Sequence, residues 1–172
     1  MRPEDSSSAT GFGCDTCARQ DVWDRQNAVI NQALMAAPVL VGTVALARYR
    51  ARKLLLYIPA VAALLTVWRR YVCARCRYYG TECSTLLGVM TAKMIPRDDM
   101  VPLDRNTMVA DFAIMGAIMA MPLREVIRNP SLALAYLLST VAGMGSILVN
   151  ACGRCGNDFC PMKDLRRTLL KD

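Results

Sequence analysis

The sequence predicts an all-α integral membrane protein of four transmembrane helices, arranged as two pseudo-repeated helical hairpins with cysteine-rich knuckles on one membrane face. Three observations carry this. Four long apolar runs alternate with short charged clusters, two very short basic turns separate consecutive runs, and the eight cysteines gather beside run ends. The chain has 172 residues, 54% hydrophobic and 20% charged, with a net charge of +7.

Residues 28–47 hold no charge, nor do 54–68, which Arg69 and Arg70 extend toward Val72 by snorkelling. Residues 106–123 carry only Asp111, and 130–153 none. A helix needs about 20 residues to cross the hydrocarbon core. Buried helices of a soluble protein usually keep a charged stripe, and these runs have none. The expected spans are therefore 28–47, 54–72, 106–123 and 130–151. Residues 48–53 and 124–129 form the tight turns, and Pro130 suits the first turn of a new helix. Pro38, Pro59 and Pro122 fall inside or at the ends of spans, where membrane helices tolerate them. Trp68, Tyr71 and Tyr49 stand near span ends, as aromatic side chains do at the lipid–water boundary. Residues 1–10 lack an apolar core, so the first span is expected to serve as the insertion signal.

Short turns after spans one and three place both turns on one face. The N-terminus, the middle segment and the C-terminus share the other, and all eight cysteines belong to it. Cys14 and Cys17 precede span one, Cys73, Cys76 and Cys83 follow span two, and Cys152, Cys155 and Cys160 follow span four. Cys73-Ala-Arg-Cys76 and Cys152-Gly-Arg-Cys155 lie 79 residues apart, and each is trailed by a third cysteine. This spacing suggests two parallel hairpins related by an axis along the membrane normal. The chain then divides into a polar segment 1–27 with its own CxxC, a first hairpin with knuckle and interfacial segment over 28–105, and a second hairpin with knuckle and basic tail over 106–172.

Paired cysteines two residues apart chelate one ion or cluster with little loop strain. With no histidine in the chain, a zinc site must be all-cysteine and a histidine-ligated haem is excluded. A catalytic CxxC usually opens a helix, where the dipole lowers the thiol pKa. Here both follow helix C-termini, where the negative end of the dipole favours a bound cation, with Arg75, Arg77 and Arg154 balancing the thiolates. Metal binding is thus expected, as iron–sulfur clusters or alternatively zinc. Cys160-Pro161 resembles the closing Cys-Pro of bacterial ferredoxin motifs, which implies a cluster ligand there, although the C-x2-C-x6-C and C-x2-C-x4-C spacings differ from the ferredoxin's. Eight ligands make two sets, Cys73, Cys76, Cys83 and Cys160 in one, Cys14, Cys17, Cys152 and Cys155 in the other.

Function follows as electron transfer by a small membrane subunit, with the lipid bilayer and other protein subunits as partners. The alternatives are a membrane thiol–disulfide oxidoreductase and a zinc-stapled scaffold or assembly factor. No nucleic-acid module, nucleotide loop or hydrolytic residue set is present, and nothing resembles a substrate pocket, which leaves catalysis by this chain alone open. Fifteen Lys and Arg flank the spans on the cysteine face against six on the turn face, and Arg69, Arg70, Lys163, Arg166 and Arg167 are juxtamembrane. That count puts the cysteine face in the cytoplasm. The four basic residues right after span one argue locally for the reverse, which would permit disulfides. Residues 84–95 read as an amphipathic interfacial helix or a packed loop. Asp111 reads as a partner of Arg69 or Arg70 in preference to a proton relay.

Overall fold

The structure, a computed structural model, describes residues 25–81 and 83–170. Most of the polar segment 1–27, with Cys14 and Cys17, lies outside the described residues. Among those described, every regular element is a helix. They are α1 (Arg25–Tyr49), α2 (Ala51–Leu65), α3 (Arg69–Val72), α4 (Leu87–Met94), α5 (Arg105–Ala120), α6 (Leu123–Val126), α7 (Pro130–Ser146), a π-helical turn (Ile147–Ala151) and α8 (Pro161–Leu170).

Four helical stretches are long and apolar enough to cross a membrane: Arg25–Tyr49, Ala51–Val72, Arg105–Val126 and Pro130–Ala151. Each contains the corresponding run expected from the sequence. Three of the four are interrupted. Span two changes pitch between α2 and α3, where the Thr66 hydroxyl donates to the Ala62 carbonyl at 2.7 Å and the Trp68 amide skips a residue to reach Ala63 O at 2.9 Å. Span three turns at Met121–Pro122, because proline removes an amide donor and ends α5. Span four ends in the π turn, closed by the Cys152 amide on Ile147 O at 2.9 Å.

Side-chain caps set two of the starts. Asp104 accepts from the Thr107 amide at 3.0 Å to open α5. Asn129 accepts from the Ser131 amide at 3.0 Å and the Leu132 amide at 3.3 Å, with Pro130 in the first turn of α7.

The α1 and α7 helices pack most extensively, α2 lies against α1 and α5, and α6 closes against α1 and α7. Their seams hold three apolar clusters: Ala45, Val126 and Tyr136; Leu46, Tyr57 and Ile118; and Cys152, Cys160 and Met162. Lipid tails are as apolar as these side chains, so polar contacts between spans carry much of the specificity. Arg69 donates to Asp111 at 2.5 Å and to Leu64 O at 2.9 Å, with both charged residues 8% exposed, so Asp111 is the partner of Arg69. At the opposite end of spans two and three, Lys53 pairs with buried Glu125 at 2.9 Å. Buried Asn31 of α1 donates to Ser84 O at 3.0 Å and accepts from the Ser146 hydroxyl, which ties span one to the middle segment and to span four.

Within the segment read as interfacial, α4 is a helix of eight residues with Gly88 and Thr91 buried and Met90 and Met94 exposed.

Candidate functional site

Both described CxxC motifs begin where a span ends. The Cys73 amide closes on Arg69 O at 2.8 Å, and the Cys76 amide on Cys73 O at 3.2 Å. In the second half the Cys152 amide bonds Ile147 O, and the Cys155 amide bonds Ala151 O at 3.0 Å. The chain then turns back. Gly80 has a φ of 78° between Cys76 and Cys83, a conformation that suits a residue without Cβ.

The two knuckles interlock. Arg77 donates to Gly156 O at 2.8 Å, and the Gly156 amide donates to the Tyr78 hydroxyl at 2.8 Å. The Asn157 amide group reaches the Cys76 sulfur at 3.8 Å. A side chain at position 156 would place its Cβ 2.8 Å from the Arg77 guanidinium and 3.1 Å from the Tyr78 hydroxyl, so glycine is what permits the approach.

This seam gathers thiols from both halves. Cys155 is within electrostatic reach of Cys76 and Cys83 as well as Cys160. Cys83 also acts on Cys73 and Cys76, and its own thiol donates to Thr85 O at 3.2 Å. Cys152 and Cys160 are buried together with Met162, against Met108 and Phe112 of α5. All six described cysteines are free thiols. Among the described residues, no three Cys, Asp or Glu side chains converge as a ligand set for a single metal ion. Cys14 and Cys17, expected to complete a second set with Cys152 and Cys155, lie outside the described residues.

Burial governs the thiols. It pushes Cys73 up, with the nearby Arg69 charge opposing and Cys83 reinforcing the rise. It pushes Cys76 up against the hydrogen bonds from Tyr78 and Asn157. Cys155 rises by burial and by its cysteine neighbours. Cys152 is pushed up to about 11, by burial first and then by Cys160 and Cys155. Burial thus holds these four thiols, Cys73, Cys76, Cys152 and Cys155, neutral unless a cation joins them.

Of the arginines expected to balance thiolates, Arg75 is engaged by Asp98 at 2.8 Å, and Arg77 spans the seam. The cation beside Cys73 is Arg69, from the last turn of span two. In the sequence Arg69 reads only as a snorkelling residue and a partner for Asp111, and Asn157 is not singled out beside a thiol. The signals that single them out are one helical turn from Cys73 to Arg69 and the place of Asn157 between two cysteines. An open groove of about 380 Å³ borders the seam, lined by Arg75, Arg77, Pro102, Leu103, Asn157 and Phe159 among others.

Comparison with protein-family models, with curated proteins and with solved structures gave no match.

Proposed function

We propose that the chain is a small membrane subunit that holds an iron–sulfur cluster between its two cysteine knuckles and passes single electrons between a soluble donor and a membrane partner. One observation carries this: the hydrogen bonds of Arg77, Tyr78 and Asn157 lock the knuckles together and bring Cys76, Cys83 and Cys155 into electrostatic reach of one another.

The ligand set this favours is Cys73, Cys76, Cys83 and Cys155. Cys155 takes the place that spacing alone assigns to Cys160, because Cys160 is packed with Cys152 and Met162 in an apolar cluster. The raised pKa values of Cys73, Cys76 and Cys155 suit a metal better than thiol–disulfide exchange, which needs a ready thiolate. A cluster asks less convergence of its ligands than a single zinc ion, because its body lies between them, whereas zinc draws four sulfurs to about 2.3 Å from one centre. Hydrogen bonds to sulfur and nearby charge set a cluster's potential, the parts assigned to Asn157 and Arg69. The residues that interlock lie 78 and 79 positions apart, in keeping with two repeated hairpins that each contribute one knuckle. The cysteine face is proposed to be cytoplasmic.

Purification without oxygen tests the proposal. The expected result is iron with acid-labile sulfide and a visible absorption band that bleaches with dithionite. Colourless protein with stoichiometric zinc would make the chain a zinc-stapled scaffold. Metal-free protein with four disulfides would end both metal readings and place the cysteine face outside.

A further inference from the structure

The C-terminal helix α8 follows the second knuckle and is ten residues long. Its first turn is fixed to the bundle. Met162 is buried with Cys152 and Cys160 against Met108 and Phe112, which belong to the first two turns of α5. Asp164 pairs with Arg105, the first residue of span three, at 3.1 Å. These contacts hold α8 at the level where span three enters the membrane.

Residues at i, i+3 and i+7 share one helix face. Met162, Leu165 and Leu169 are such a set, so the face that is buried at Met162 continues outward through two leucines. Those leucines are 42% and 61% exposed. An apolar face at the membrane boundary that runs past the edge of its own bundle meets lipid. Charge at this level is net positive: Arg105, Lys163, Arg166 and Arg167 stand against Asp104, Asp158 and Asp164, and the guanidinium groups of Arg105 and Arg167 are exposed. An amphipathic helix with cationic flanks is the form that lies in the plane of an anionic bilayer surface.

We propose that α8 is an interfacial helix that inserts Leu165 and Leu169 among the acyl chains and leaves Arg105, at the entry of span three, to meet anionic lipid headgroups. The surface so formed binds lipid of net negative charge beside the second knuckle. This depends on the membrane spans alone and stands whichever way the metal question falls.

Single tryptophans test it in the full-length protein, as L165W and L169W on the apolar face and R167W on the opposite face. Each is reconstituted in nanodiscs of phosphatidylcholine with phosphatidylglycerol, and its emission is read as a difference from the unmodified protein. The L165W and L169W tryptophans should lose most of their emission to lipids brominated high on the acyl chain and resist acrylamide, and the R167W tryptophan should do the reverse. L165W and L169W tryptophans open to acrylamide and blind to brominated lipid would overturn the insertion. Brominated-lipid quenching of L169W should weaken in pure phosphatidylcholine discs, and quenching of equal strength there would overturn the preference for anionic headgroups.

Discussion

Asp111 is a carboxylate inside a membrane span, and what makes it tolerable is one guanidinium. Arg69 satisfies it at 2.5 Å, and the pair is nearly closed to solvent. Removing one partner of a buried pair leaves a bare charge, which costs about 3–5 kcal/mol, whereas an apolar replacement of both is often neutral. R69L should therefore lower the unfolding midpoint strongly, and R69L/D111L should recover most of the loss. A double variant no more stable than R69L would show that Arg69 acts mainly through Cys73. Cys152 makes a second prediction. Burial lifts its thiol from the ordinary 9.0 to about 11, so the folded chain holds that proton more tightly than the unfolded chain does. The stability this contributes is complete below pH 9 and is lost as pH rises from 9 through about 11. Metal-free protein should lose stability across that window, and C152A should flatten the loss. Urea titrations at stepped pH would check both.

At the scale of the element, helix ends are set by single side chains. Asn129 satisfies two amides at the start of α7, so N129A should cost about 1 kcal/mol. Equilibrium unfolding in detergent measures this. The spans themselves were legible in the sequence, since uncharged runs of membrane length have few other uses. Their interiors were not. Nothing in residues 66–68 announces the change of pitch, which depends on the Thr66 hydroxyl and on how the Arg69 side chain reaches Asp111. The π turn at Ile147–Ala151 leaves no periodic signature either. Asn31 reads as one polar residue in an apolar run, and its value as a rivet emerges only when Ser84 and Ser146 arrive from distant parts of the chain. Likewise α8 passed as a basic tail, because ten mixed residues show their apolar face only once Met162 has a place to dock.

For the whole molecule, the apolar runs and the two short turns made the four spans legible, and the described cysteines stand beyond the ends of spans two and four. Which thiols meet was not legible, because that depends on the seam of Arg77, Tyr78, Gly156 and Asn157. Reporter fusions after Arg52 and after Asp172 should give opposite signals, and equal signals would remove the four-span topology. The central claim is that one cluster is shared across the seam. Iron and acid-labile sulfide per chain, measured on C155S beside the unaltered protein after anaerobic purification, test it most directly. The account predicts that the unaltered chain carries iron and sulfide together and that C155S loses both while staying folded in the membrane. Unaltered protein without iron, or C155S with its full complement of iron and sulfide, would contradict it.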